Sequence, residues 1–221
     1  MPPKARFTKE RIEEAAYQLA KEKGFEAIAA REVARSLGMT VTPIFTYFSG
    51  MEELKTAVRD RVRREFEGYL RGSLDYFPAF KEFGARWMRY AAEYPNFYKL
   101  LIASGDPLES VDDLLNLFRD TADPITREIA DTFAISRKDA WDILRHMVIY
   151  ANGLCGFLMQ ESCTMTAETL SDSASQLCLA LAARARILDG SLSIGAARDM
   201  LSSHGLQPEK KRHLPKKSQK T

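Results

Sequence analysis

The sequence predicts an all-α protein: a small N-terminal three-helix unit of helix-turn-helix type joined to a larger helical domain. Apolar residues recur at helical spacing almost throughout the 221 residues, and no stretch alternates apolar and polar residues between two turn signals, as a half-buried strand would. Helix start and stop residues punctuate that periodicity. With 45% hydrophobic residues the chain can bury a sizeable core in one or two domains.

The first predicted helix starts after Thr8, a good N-cap, with Phe7 and Ile12 at the positions of a hydrophobic staple, and stops at Gly24. Its apolar stripe is Ile12, Ala15, Ala16, Leu19 and Ala20, narrow enough to take two short partners. "AAREVARSL" supplies two turns of a second helix, Gly38 takes the left-handed conformation that ends it, and Thr40 caps a third. Pro43 then falls at the third helical position, where its missing N–H has no intrahelical partner to lose. Val33, Ala34, Leu37, Met39, Ile44 and Phe48 form the shared core that such a motif needs.

"SGMEEL" offers Ser49 and Glu52 as a capping box for a long helix through Lys55, Val58, Val62 and Phe66. Further helices are expected over Tyr76 to Glu93, after Pro95, once or twice between Leu108 and Phe133, and over Ser136 to Gln160, Thr166 to Leu188 and Ser191 to Ser203. The end of the chain, 206–221, loses its periodicity, and lysine is its commonest residue. It is expected to be a disordered, solvated basic tail, at most a weak tether to DNA.

Thirty-two Lys and Arg against 30 Asp and Glu leave a net charge of +2, so any contact with a polyanion must be local. "GMTVTPIFTYF" is the stretch that fits one. On a helix beginning at Val41, residues 41, 42, 43 and 46 lie on the exposed N-terminal end while Ile44 and Phe48 turn inward. Threonine, valine and proline grip phosphate poorly but suit base edges, where methyl groups meet thymine methyls.

Residues 6–66 resemble the DNA-binding domain of the tetracycline-repressor (TetR) family of transcriptional regulators. The resemblance rests on "AAYQLAKEKGF", "REVARSLGMT" and "IFTYFSGMEEL" in the family's order and spacing. It implies that Val41, Thr42, Pro43 and Thr46 face bases, that Phe45 and Tyr47 lie against the DNA backbone, and that Arg31 sits near phosphates; Thr40, the expected cap, is counted with these as a DNA-binding residue. Three departures from the family pattern each remove a positioning contact. Phe45 lacks the usual tyrosine hydroxyl, Met51 replaces a phosphate-binding lysine, and Ile28 and Ala29 replace hydroxyl residues. Weaker non-specific binding and a shallower salt dependence are expected, with Lys4 and Arg6 as compensating cations.

Residues 67–205 are expected to form the effector-binding and dimerisation domain. The helix "AWDILRHMVIYANGLCGFLMQ" carries two apolar seams, one through Trp141, Leu144, Val148, Ala151, Cys155 and Leu158, the other through Ile143, Met147, Tyr150, Leu154 and Phe157. A helix apolar on two sides is buried on both, and Gly153 and Gly156 permit close approach. With the following helix (Leu170, Ala174, Leu177, Leu181, Leu188) it is expected to form a four-helix homodimer interface, which would match a palindromic DNA site, although an ordinary monomeric core would need the same seams. The surplus of aromatic residues after Phe77 fits either plain core packing or a pocket for a small apolar or aromatic effector, walled by Trp87, Tyr90, Tyr98, Phe118, His146 and Tyr150.

No metal-ligand spacing, glycine-rich phosphate loop or nucleophile elbow occurs, and the three histidines are scattered, so neither catalysis nor a cofactor is expected. Cys155, Cys163 and Cys178 form no CxxC pair and read as small buried residues, with Cys163 the best candidate for a reactive thiol. The basic N-terminus has no apolar segment behind it, and the longest apolar run, broken by Asn152, falls short of the roughly 20 residues of a membrane span. A cytoplasmic, ligand-responsive homodimeric repressor is the resulting expectation; the alternative is a helical interaction module that has lost sequence-specific DNA binding.

Overall fold

A computed structural model of the chain describes residues 7–103, 110–160, 162–202 and 209–210. They are helical apart from short turns and one pair of two-residue strands. The chain divides into two compact units, Met1–Gly68 with Arg89–Glu109 and Tyr69–Met88 with Ser110–Thr221.

The first unit is built on α1 (Lys9–Lys23). Thr8 caps it, accepting from the Arg11 N–H at 3.3 Å, and the Gly24 N–H donates to the Ala20 carbonyl at 3.0 Å to close the other end. The buried face is Ile12, Ala16, Tyr17, Leu19 and Ala20; Tyr17 joins the expected stripe and Ala15 is only half-buried. Helices α2 (Ala30–Ser36) and α3 (Thr42–Tyr47) pack on α1, as does α6 (Pro95–Ala103).

The long helix α4 runs Met51–Arg71, with Leu54, Val58, Val62 and Phe66 wholly buried at every fourth position. Its start differs in one residue from the expected capping box. The Ser49 N–H donates to Glu53 Oε2 at 2.7 Å, while Glu52 lies 3.5 Å from Lys55 Nζ. With Met51 first in the helix, Glu53 rather than Glu52 is the third residue, the one placed to reach back.

In the second unit, the expected helix from Tyr76 starts late, because Tyr76–Phe77 forms a strand, β1, ahead of α5 (Ala79–Glu93). Its partner β2 is Glu209–Lys210, antiparallel, Tyr76 facing Lys210 and Phe77 facing Glu209. These two residues of the expected disordered tail are therefore paired, and the rest of the tail lies outside the described residues. Helices α7 (Val111–Leu117) and α8 (Arg119–Phe133) pack on α9 (Arg137–Leu158), which also packs on α10 (Ala167–Leu188); α11 (Ile194–Ser202) follows.

Asp112 ties α7 to α9. Its carboxylate accepts from Trp141 Nε1 at 2.9 Å and lies 3.2 Å from Arg145 Nε. Phe80 and Phe133 meet at 5.6 Å between ring centroids, and Trp87 meets Phe118 edge-on at 5.9 Å.

Candidate nucleic-acid interface

The turn between α2 and α3 is fixed by backbone geometry. Gly38 adopts φ 62°, its N–H donates to the Arg35 carbonyl at 3.1 Å, and the Met39 N–H reaches back to the Ala34 carbonyl at 3.0 Å. This pair of bonds is a Schellman closure, which needs a left-handed residue that glycine adopts at least cost. Ala34, 3% exposed, leaves room beneath the turn. No side chain caps the start of α2 at Ala29, in keeping with the missing hydroxyl residues there.

The start of α3 corrects the expected register. Val41, not Thr40, is the N-cap, with φ −73° and no side-chain capping bond. The Ile44 N–H closes on the Val41 carbonyl at 3.1 Å, a tightened first turn that begins the helix at Thr42 and puts Pro43 at its second position instead of its third. Proline is harmless there for the reason anticipated, since the first amides of a helix lack intrahelical acceptors.

Ile44 and Phe48 face inward, 0% and 1% exposed, while Val41 and Phe45 are 37% and 51% exposed. Thr40, Thr42 and Thr46 are exposed and Pro43 half-buried. These side chains, with Phe7 and Tyr47, border an open groove of about 450 Å³. Arg31 is exposed on α2, with no side-chain partner among the described residues. Met51 is half-buried at the head of α4.

Two interactions hold this face against the rest of the unit. Tyr47 Oη donates to the Phe7 carbonyl at 2.9 Å, so the segment before α1 is pinned to α3. Lys9 Nζ bonds Glu53 Oε1 at 3.1 Å and lies 4.8 Å from the centroid of the Phe48 ring. Neither Tyr47 nor Lys9 had been expected in a clamping role; both depend on contacts between residues some 40 positions apart.

Residues 12–58 match the family described as bacterial regulatory proteins, tetR family. The HTH-type transcriptional repressor DrrR1 of Streptomyces coeruleorubidus is 38% identical over 65 residues, 29% of this chain and 24% of that protein. A crystal structure of a tetR-family transcriptional regulator from Streptomyces coelicolor has the same fold, with a TM-score of 0.61 over 87% of each chain at 14% identity. Residues 12–58 are thus a helix-turn-helix of TetR type. The family match spans residues 12–58, and the chain matches about a quarter of the length of its curated relative; the likeness over 87% of the chain is one of fold.

The six residues expected to wall an effector pocket are divided between the two units. Trp87 and Phe118 touch in the core of the second unit. Tyr90 belongs to the first unit, between Phe66 at 4.6 Å and Tyr94 at 5.1 Å, and buried Tyr98 lies in α6 of the same unit. His146 and Tyr150 sit on the exposed side of α9, where His146 Nδ1–H donates to the Asp142 carbonyl at 2.6 Å. A void of about 10 Å³ does occur beside Trp87, among Phe83 of α5, Met147, Val148 and Ala151 of α9, and Ala174 of α10. Among the described residues no cluster of His, Cys, Asp and Glu is placed to hold a metal ion, and no helix is long and apolar enough to cross a membrane.

Proposed function

We propose that this protein is a regulator of the TetR family, a homodimeric, ligand-responsive transcriptional repressor, cytoplasmic, that binds a palindromic operator with α3 in the major groove of each half-site. The observation that carries the reading is the uncharged, exposed face of α3, held by the Schellman turn on one side and by Tyr47 on the other. A two-fold dimer presents two such faces, and half-sites about 34 Å apart, one helical turn, suit it. Repression is the mode named for the relative DrrR1.

Dimerisation is assigned to α9 and α10. Ile149 and Phe157 of α9 are 52% and 57% exposed, and nothing lies within 4 Å of where a Cβ would project at Gly153 or Gly156. A second copy's helix pair would cover that apolar strip and approach closely at the glycines. His146 and Tyr150 then belong to this face rather than to a pocket.

The effector site is assigned to residues 67–205, at the cluster around Trp87 and Phe118. The small apolar void there is its closed form, and a flat apolar molecule would open it. To invert a 1:99 population, the effector must favour the DNA-incompetent state by about 10⁴-fold; tight binding to both states would shift nothing.

A second reading, an interaction module that no longer binds DNA, draws support from Phe45 and Met51, which supply no phosphate contact. One experiment separates the two. Full-length protein is incubated with random-sequence duplexes and the bound fraction sequenced over several rounds. Enrichment of a two-fold palindrome is expected; no enrichment overturns the operator-binding reading.

A further inference from the structure

We propose that each half-site is read through the 5-methyl groups of thymine, by a face of α3 that offers more exposed apolar surface than hydrogen-bond donors. The proposal rests on the DNA-binding reading above and narrows it to one class of base contact. From Gly38 to Phe48 the chain has no charged side chain, no Asn and no Gln. It therefore lacks the groups that recognise guanine and adenine by paired hydrogen bonds, Arg or Lys for the first and Asn or Gln for the second.

Of the four hydroxyls in this stretch, two are spent inside the protein. Thr46 Oγ1 donates to the Thr42 carbonyl at 3.3 Å, which turns its hydroxyl toward its own helix and leaves the methyl group as its outward surface. Tyr47 Oη has its one proton on the Phe7 carbonyl and cannot also donate to DNA. Among the described residues, the Thr40 and Thr42 hydroxyls have no partner within the protein and keep a proton for one outside it. Against these stand the side chain of Val41, the ring of Phe45 and the methyls of Thr42 and Thr46, all exposed.

Such a surface discriminates by apolar contact. Of the four bases, thymine alone carries an apolar group on its major-groove edge. Deoxyuridine has the same hydrogen-bonding groups without that methyl, so the two bases differ only in the feature this face would read.

The test uses the full chain and the duplex recovered by selection, synthesised once with thymine and once with deoxyuridine in the half-sites, with affinities measured at one salt concentration. Loss of about fourfold for each contacted methyl is expected, from the transfer of one buried carbon group. Thr46→Ser keeps the bond to the Thr42 carbonyl and removes only the methyl, and Val41→Ala shortens the neighbouring side chain. Each variant should bind the thymine duplex less well and lose part of its preference over deoxyuridine. Equal affinity of the unaltered protein for the two duplexes overturns the inference while leaving DNA binding intact. Failure to recover any bound duplex overturns the DNA-binding reading itself, and this inference with it.

Discussion

Arg61 lies with its guanidinium carbon 3.7 Å from the centroid of the Tyr17 ring, and the Tyr17 hydroxyl donates to Glu65, one turn along α4 from Arg61. Arg61 also reaches Glu14 of α1 at 2.6 Å and Glu65 at 3.0 Å. These four side chains fasten α1 to α4, and Tyr17 extends the contact to Phe97 of α6, 4.8 Å away between centroids. The orientation of the recognition unit on α4 therefore rests on a mixed aromatic and ionic knot as well as on the apolar seam.

Loosening that knot should cost stability without unfolding the unit. Tyr17→Phe removes a hydrogen bond to a carboxylate, but Glu65 keeps 41% of its side chain in solvent, so the loss should be about 1 kcal/mol rather than the larger value of a buried charged bond. Arg61→Ala should cost a similar amount. Because the two side chains touch, the double variant should lose less than the total of the single variants. Urea unfolding of the four proteins measures this; strict additivity would mean that the two residues act independently.

Alkaline pH should weaken the fold. Burial, aided by Glu65, raises the Tyr17 phenol well above its ordinary value, and burial likewise raises Tyr90; burial pushes the Cys178 thiol up to about 12. In each case the unfolded chain ionises first. The stability these groups contribute is complete below their unfolded values and drains away as pH rises through the folded ones, first for the thiol above about 9 and then for the phenols above about 10. The urea midpoint should fall from about pH 9 upward and faster beyond about pH 10. A Cys178→Ala variant should show a flatter decline over the first of those intervals, whatever its stability at neutral pH.

Apolar spacing made most of the helices legible, because every helix must bury a stripe whatever it packs against. Thr8 and Gly38 were legible too, since capping and left-handed turns depend on local chemistry. What escaped was decided by the residue at which a helix starts or by partners distant in sequence. The choice of Val41 over Thr40 follows from the tightened turn at Ile44, the choice of Glu53 over Glu52 from the helix start at Met51, and the extended Tyr76–Phe77 from pairing with Glu209–Lys210. The aromatic residues show the same limit at the candidate site. Tyr90 and Trp87 are neighbours on one helix yet serve different units, and helical spacing alone does not say which side of α9 turns His146 outward.

Gly38 should tolerate no side chain without penalty. A Cβ there would meet nothing within 4 Å, so the cost of Gly38→Ala is that of a non-glycine residue at φ 62°, roughly 1–2 kcal/mol. Since the turn sets the angle between α2 and α3, operator affinity should fall along with stability. Asn at this position, which accepts left-handed geometry better, should recover part of both losses. Equal stability of the alanine and glycine proteins would mean that the turn relaxes to another conformation.

The cysteines should differ in reactivity. Cys155 and Cys178 are wholly buried, while Cys163 in the connection between α9 and α10 is half-buried, its Sγ 3.9 Å from the Met165 carbonyl. A thiol reagent added to the native protein should label Cys163 rapidly and the other two only on unfolding. Mass mapping of the labelled peptides reads this directly, and rapid native labelling of Cys178 would contradict the packing of α10.

The exposed apolar strip of α9 gives the sharpest test of assembly. Phe157 is 57% exposed, so replacing it by arginine should leave the isolated fold unchanged, as shown by an unaltered circular dichroism spectrum. In a two-fold interface each copy would carry the substitution, placing two like charges near the symmetry axis and stranding both in apolar surroundings. An aromatic residue central to such an interface is worth at least about 2 kcal/mol, so the dimer dissociation constant should rise by roughly thirtyfold or more. Sedimentation equilibrium measures that constant. On the proposed dimeric reading, affinity for the selected duplex should fall with it at concentrations where the variant is monomeric, because one subunit would contact a single half-site. A variant that remains dimeric at the same concentrations would move the interface away from Phe157, and with it the assignment of α9 and α10.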